Sequence, residues 1–265
     1  MTHTYLRFVA LGDSQTEGMN DGDDLSGYRG WADRLADRLA EGNPQVHYAN
    51  LAVRGRRAHE VQEEQLPVAL SLRPDLASVM AGVNDLLRSR FDAAATAGHL
   101  ETMFEALTGT GARVITFGFP DPPLLVPATR GIARRIHDLN DRIRAAAGRH
   151  GVTVVDLSAY PVCTDSRLWS PDRLHLNTLG HTRLASAVAH TLDLPGSDTL
   201  WMDPLARQER PPMWRRAEAE LRWAGSFVGP WLVRRLLGRS SGDGRFAKRP
   251  ALTPVSPEAE HDQTR

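Results

Sequence analysis

The chain has 265 residues, of which 41% are hydrophobic and 24% charged, and its 32 basic residues balance its 32 acidic ones. This composition is ordinary for a globular protein, and a formal net charge of zero excludes a molecule-wide attraction for nucleic acid. Because Cys163 is the only cysteine, an internal disulfide and a multi-cysteine metal site are excluded as well.

The N-terminal residues lack a basic leader, a long apolar run and a small-residue cleavage site. No stretch reaches the roughly 18 consecutive apolar residues of a membrane span. The sequence therefore predicts a cytoplasmic protein without a transmembrane segment.

Short β-rich runs alternate with amphipathic helical patterns through the first part of the chain. The predicted strands cover residues 6–11, 46–51, 76–81, 112–117 and 152–157. The predicted helices cover residues 30–40, 57–71, 92–108, 132–147 and 179–192. This alternation favours a parallel sheet with helices on both faces. We expect a flavodoxin-like three-layer α/β/α sandwich with a five-stranded parallel sheet in the order 2-1-3-4-5.

The composition changes after residue 195, which predicts a catalytic domain over 1–195 and a helical extension over 196–249. This extension is rich in arginine and contains four of the six tryptophans, and we expect two helices broken near residues 229–230. Its aromatic side chains favour packing on the domain or on a partner subunit; a weak peripheral contact with anionic lipid is the alternative. The three prolines and several charges of residues 250–265 predict that this segment is a disordered tail.

A serine follows the first predicted strand, in Gly12-Asp13-Ser14. A serine at a tight turn after a strand is accessible to substrate, but the tripeptide is also typical of an ordinary turn or helix cap. Asp172 and His175, three residues apart before the last helix, supply an acid and a base. Such a pair can fix the imidazole tautomer and activate a serine, although each residue alone also fits a surface turn.

Two further groups follow the second and third predicted strands, which flank the first strand in the predicted order. Gly55 offers an unobstructed backbone N–H after the second strand, and Asn84, in Gly82-Val83-Asn84-Asp85, offers a side-chain amide after the third. Together with the Ser14 N–H, they are candidate donors to an oxyanion. Each alone is typical of a turn, but all of them converge on one end of the sheet in the predicted strand order.

The four blocks together resemble those of the SGNH hydrolases, also called GDSL-type esterases and lipases. Gly12-Asp13-Ser14 resembles the nucleophile block, Gly55 the oxyanion glycine, Gly82-Val83-Asn84-Asp85 the G-x-N-D block, and Asp172-Arg173-Leu174-His175 the D-x-x-H block. The resemblance covers roughly residues 5–193. One departure is Gln15, where many members have leucine at a position that is not catalytic.

The resemblance implies a Ser14–His175–Asp172 triad, an oxyanion hole formed by Ser14, Gly55 and Asn84, and supporting roles for Asp13 and Asp85. It implies hydrolysis of small-molecule carboxylic esters, with short acyl or acetyl groups favoured, and no cofactor or metal. An acyltransferase using the same acyl-enzyme, or a non-catalytic binding module, remains the alternative. The oligomeric state stays open.

Two other features bear on this interpretation. Gly238-Arg239-Ser240-Ser241-Gly242 matches a G-x-S-x-G elbow, but no strand precedes it in the predicted pattern and too few residues follow it. The apolar, proline-rich loop at residues 119–127, together with Trp169, is a candidate wall for an acyl group, and core packing is an equal alternative.

Overall fold

The computed structural model describes residues 4–120, 133–208, 212–223, 225–226 and 241–255. Five of its strands are parallel: β1 (Arg7–Gly12), β2 (His47–Asn50), β3 (Leu76–Met80), β4 (Arg113–Gly118) and β5 (Thr153–Asp156). A sixth, β6 (Arg249–Pro254), pairs antiparallel with β2. The sheet order is β5-β4-β3-β1-β2-β6. The predicted α/β fold and the order of its five parallel strands are confirmed.

The sixth strand corrects the sequence prediction in two respects. The sheet has six strands rather than five, and residues 250–255 are ordered, whereas a disordered tail was expected from residue 250. Pro250 and Pro254 cannot donate hydrogen bonds, but an edge strand tolerates them because only one of its sides is paired. Residues 256–265 lie outside the described residues.

Nine α-helices are described. They are α1 (Ser14–Glu17), α2 (Trp31–Gly42), α3 (Ala58–Glu60), α4 (Leu66–Leu72), α5 (Val83–Leu86), α6 (Ala93–Gly109), α7 (Ala133–His150), α8 (Thr178–Thr191) and α9 (Met213–Trp223). Helix α2 packs against α8, and α6 packs against α7. The expected break near residues 229–230 lies outside the described residues. Within those residues, no helix is both long and apolar enough to cross a bilayer.

Burial explains why the short apolar runs form a central sheet. All five residues of β3 and the last five of β1 are buried, as expected for strands covered on both faces. Helix α2 contributes the stripe of Trp31, Leu35 and Leu39, which is also buried. Trp31 packs edge-on against Phe117 of β4, with ring centroids 4.9 Å apart.

A π-helical turn, Val61–Gln65, interrupts the helix that the sequence predicts over residues 57–71. Its end is marked by a hydrogen bond from the Leu66 N–H to the Val61 carbonyl. Pro67, in the first turn of α4, has no N–H for the ordinary helical bond and crowds the carbonyl four residues before it. The turn leaves Gln65 buried against the end of β1.

Residues 241–255, here called the C-terminal strap, pack on the edge of the sheet beside β2. The Lys248 ammonium donates to the backbone carbonyls of Glu17 and Tyr28, at 2.7 and 2.8 Å, and to Asp33 Oδ2 at 2.6 Å. Gly242 is buried, and a Cβ at this position would lie 2.0 Å from the Arg54 carbonyl oxygen. The strap therefore contacts the loop that follows β2 as well as the strand itself.

Candidate active site

Ser14 lies at the carboxyl end of β1, an interior strand of the sheet that pairs with β3 on one side and β2 on the other. Gly12 ends the strand, and a Cβ there would lie 2.6 Å from both the Met80 carbonyl oxygen and the Thr16 hydroxyl. Asp13 then caps α1 by accepting the Gln15 N–H, which places Ser14 first in the helix. The close packing of the strand end against β3 therefore requires glycine two residues before the candidate nucleophile.

The structure brings together the three residues predicted as a triad. His175 Nε2 lies 2.8 Å from Ser14 Oγ, and His175 Nδ1 lies 2.7 Å from Asp172 Oδ2. Ser14 and His175 are each 7% exposed, so little water surrounds the hydroxyl–imidazole hydrogen bond. The order carboxylate, imidazole, hydroxyl is the arrangement that activates a serine.

The Asp172 carboxylate is fixed by further donors. Its Oδ1 accepts the backbone N–H groups of Leu174 and His175, at 2.9 and 3.0 Å. Its Oδ2 accepts Asn20 Nδ2 at 2.6 Å. Burial raises the pKa of Asp172, but the hydrogen bond and charge of His175 and these backbone donors outweigh burial and lower it to about 2. The carboxylate is thus held in its ionised form.

Sequence reasoning missed Asn20. It lies in the loop after α1 in a left-handed backbone conformation, with φ of 71°. Asparagine adopts this conformation more readily than most residues, but that local preference does not indicate a contact with Asp172, 152 positions along the chain.

Gly55 lies in a turn after β2, with φ of 79°. The preceding residue, Arg54, anchors the turn: its N–H donates to Glu17 Oε2 at 2.7 Å, and its guanidinium forms a buried ion pair with the same carboxylate at 2.6 Å. Within the described residues, the N–H groups of Ser14 and Gly55 have no hydrogen-bond acceptor. Two of the three predicted oxyanion donors are therefore available to a ligand.

The third, Asn84, is engaged by the protein. Its Nδ2 donates to Asp13 Oδ2 and to the Arg56 carbonyl, both at 3.0 Å. Donation to a ligand requires one of these hydrogen bonds to be shared or released. The adjacent Asp85 accepts the Ala58 N–H at 2.9 Å and so ties α5 to α3.

Asp13 and Asp85, the two carboxylates predicted to support the site, both have raised pKa values. Burial raises the pKa of Asp13 to about 7 against the lowering effect of the Gln15 N–H and of His175, and the negative charge of Asp85 adds to the rise. Burial also raises the pKa of Asp85. These two groups therefore bind protons at higher pH than ordinary carboxyl groups.

Gln65 is a second residue that sequence reasoning missed. Its Oε1 accepts the Gly12 N–H and its Nε2 donates to the Gly12 carbonyl, both at 2.9 Å. The carboxamide thus pairs with both backbone polar groups of the residue two before Ser14. A π turn is often found at functional sites, but the turn that directs Gln65 inward cannot be read from its sequence.

An apolar cavity of about 140 Å³ adjoins the site. Its lining includes residues that flank the site residues in sequence, namely Gln15, Val83, Leu174 and Leu176. Phe119, Pro120 and Trp169 also line it, and their role as an acyl wall stays a prediction, while residues 121–127 lie outside the described residues. Apolar cavities of this size accept apolar ligands.

Helix α9 of the arginine- and tryptophan-rich extension contacts the loop that carries the acid and the base. Trp223 Nε1 donates to the backbone carbonyl of Asp172 at 3.0 Å, and the Arg173 guanidinium lies 4.8 Å from the centre of the Trp223 ring. Trp214 on the same helix is 63% exposed. The lipid interpretation of this extension stays a prediction.

Among the residues that the structure describes, no group of three or more His, Cys, Asp or Glu side chains could hold a metal ion. The donors at this site are those of an imidazole, a hydroxyl, an amide and backbone N–H groups. This set suits proton transfer and stabilisation of a developing negative charge.

The profile of a family described as "GDSL-like Lipase/Acylhydrolase family" matches residues 10–183. Among solved structures, the chain is similar to TesA, with a TM-score of 0.59 and 25% identity over 70% of this chain and 97% of that one. It is similar to a lipase/acylhydrolase from Enterococcus faecalis, with a TM-score of 0.58 and 22% identity over 73% and 99% of the two chains. A catalytic mutant of Axe2, an acetylxylan esterase from Geobacillus stearothermophilus, gives a TM-score of 0.61 and 16% identity over 78% and 100%. No curated protein matches the chain significantly.

Proposed function

Because this chain belongs to the GDSL-like lipase/acylhydrolase family and is thus an ester-hydrolysing enzyme, we propose that it cleaves carboxylic esters through an acyl-enzyme formed on Ser14. The observation that carries the proposal is the continuous series of hydrogen bonds from Asp172 through His175 to Ser14, at 2.7 and 2.8 Å. Both distances lie within the range needed for proton transfer from a serine to a general base.

The reaction proceeds in two halves. His175 Nε2 takes the Ser14 hydroxyl proton as the oxygen attacks the ester carbonyl, and Asp172 stabilises the imidazolium that forms. His175 then gives the proton to the departing alcohol, which leaves an acyl group on Ser14. Water attacks this acyl group by the same route, releases the acid and restores the serine.

The negative charge on the carbonyl oxygen is stabilised by the N–H groups of Ser14 and Gly55, with Asn84 as the third donor. The two backbone groups have no acceptor among the described residues, which supports their role. Asn84 becomes the third donor when the oxyanion replaces the Arg56 carbonyl or the Asp13 carboxylate as the acceptor of one amide hydrogen. Asp13 and Asp85 are supporting residues, since one orients Asn84 and the other fixes the neighbouring helix ends.

The apolar cavity is proposed as the site of the acyl chain. Its volume of about 140 Å³ is close to that of an engineered cavity of about 150 Å³ that binds benzene, a six-carbon ligand. We therefore expect esters of short acids, from about four to eight carbons, to be better substrates than acetyl esters or long-chain lipids.

The experiment compares p-nitrophenyl esters of two to twelve acyl carbons on the wild type and on Ser14→Ala. Ester hydrolysis by the wild type that Ser14→Ala abolishes is expected, and Asn84→Ala is expected to lower kcat by roughly 10²–10³-fold. Undiminished hydrolysis by Ser14→Ala would refute the proposal. An enzyme that transfers the acyl group to an added alcohol in preference to water is an acyltransferase. A Ser14 that a fluorophosphonate does not label marks a non-catalytic binding module.

Ala187 and Ala189 provide a matched pair for the acyl cavity. Both are buried on α8, but only Ala187 is among the cavity-lining residues of the described chain. Ala187→Leu reduces the space for the acyl chain, so kcat/KM for the hexanoate and octanoate esters falls relative to the acetate ester. Ala189→Leu is the control for crowding within the helix. Equal chain-length profiles in the two variants would place the acyl chain elsewhere.

A further inference from the structure

Gln15 is the residue directly after Ser14 and the second residue of α1. Its side chain is buried and reaches the loop that carries His175. Its Nε2 donates to the Leu174 carbonyl at 2.8 Å, and its Oε1 accepts the Leu176 N–H at 3.3 Å. One carboxamide thus binds the backbone immediately before and immediately after His175, as a neighbouring β-strand would.

The other backbone groups around His175 also have partners. Its N–H donates to Asp172 Oδ1 and its carbonyl accepts the Ser170 N–H at 2.8 Å. The only ladder contact described for this stretch is an isolated bridge between Trp169 and Leu176. Backbone hydrogen bonds from this short bridge hold one side of the His175 segment, and the side chains of Asp172 and Gln15 bind the backbone groups that the bridge leaves over.

We propose that Gln15 is a positioning residue, whose carboxamide fixes the backbone on both sides of His175 and so keeps its Nε2 in line with Ser14 Oγ. The inference rests on the proposed function. Because Gln15 and Ser14 are neighbours at the start of α1, the same turn carries the nucleophile and orients its base. A shift of about 1 Å between reacting groups can lower a rate by 10²-fold, so such a coupling affects the chemical step rather than substrate binding.

Gln15→Leu and Gln15→Glu test the proposal on the full chain. Leucine fills the space but offers neither a donor nor an acceptor. A carboxyl group has the shape of the carboxamide: when protonated it can donate to the Leu174 carbonyl and accept from Leu176, and when ionised it loses the donor. Gln45→Leu, at an exposed position remote from the site, controls for loss of a glutamine.

We expect Gln15→Leu to lower kcat for a short-chain p-nitrophenyl ester by about 10–100-fold with little change in KM. Gln15→Glu is expected to approach the wild type at acidic pH and to fall progressively below it as pH rises and the introduced carboxyl ionises. A purely structural role would lower the melting temperature without this split between kcat and KM or this pH-dependent ratio. Wild-type kcat in both Gln15 variants at every pH would overturn the proposal.

A second readout separates this inference from the proposed function. We expect the His175 Nδ1–H, bonded to Asp172 at 2.7 Å, to give a low-field proton resonance, which the loss of that signal in His175→Ala would assign. We expect Gln15→Leu to broaden this resonance by exchange with water, whether or not the protein turns over esters. An inactive wild type would refute the proposed function, and an unchanged resonance in Gln15→Leu would then refute the role of Gln15.

Discussion

Lys248, the only lysine of the chain, joins the C-terminal strap to the body of the protein. All three ammonium hydrogens are used, on the Glu17 and Tyr28 carbonyls and on Asp33. Its side chain is 21% exposed and that of Asp33 is 19% exposed, so water replaces these bonds poorly. Lys248→Met keeps most of the aliphatic stem and removes only the charged donor.

We expect Lys248→Met to lower the free energy of unfolding by about 3 kcal/mol, because three acceptors lose a charged donor in a partly buried site. For a domain of this size, such a loss lowers Tm by roughly 6–12 °C. Urea unfolding monitored by circular dichroism measures the first quantity, and calorimetry the second.

Arg245 provides the matched control. It lies in the same strap and makes two hydrogen bonds to Asp24, but the two side chains are 40% and 57% exposed. Exposed ion pairs contribute about 0–1 kcal/mol, so Arg245→Met should change stability far less. If both variants lose the same amount, the burial argument for Lys248 is wrong.

Two predictions concern pH. The pKa of Asp172 is about 2 in the folded protein, below its ordinary value of 3.8. The ionised carboxylate therefore stabilises the fold above pH 4. This stabilisation, at most about 2 kcal/mol, is lost as pH falls toward 2. Urea unfolding of Asp172→Asn at pH 7, 4 and 3 should show a weaker acid dependence than the wild type, and an equal dependence would contradict the assignment. The pH dependence expected from Asp13 has the opposite sign. Its pKa is raised to about 7, so its contribution to the free energy of unfolding falls as pH rises from about 4 to about 7. Asp13→Asn should remove that fall, and a profile parallel to the wild type over this range would show that burial does not raise this pKa.

The parallel sheet was predictable because its strands are buried on both faces and therefore appear as short continuous apolar runs. Their order is that of a flavodoxin-like sheet, in which the first and third strands flank the switch point, and this order predicted that Ser14 and Asn84 lie at the same end of the sheet. Asp172 and His175 were predictable because their contact is local, within one turn of three residues.

Contacts between distant segments were not predictable from patterns. Gln65 reaches Gly12 across 53 positions, from a π turn that directly precedes a helix with proline in its first turn. Gln15 adjoins the nucleophile in the sequence, but its contacts with Leu174 and Leu176 depend on how two remote loops approach each other. Strand β6 was predicted as disordered because proline and charge disfavour isolated strands, whereas an existing sheet edge supplies its partner.

The pairing of β6 with β2 also has a consequence for biosynthesis. The two strands are separated by about 200 residues of chain, which a ribosome adds in about 10–40 s at 5–20 residues per second. During that interval the emerging domain can assemble β1 to β5 while the outer side of β2 keeps its backbone groups unpaired. Such an open edge can pair with another nascent chain, so the arrival of the strap ends the period in which the protein is most exposed to misassembly.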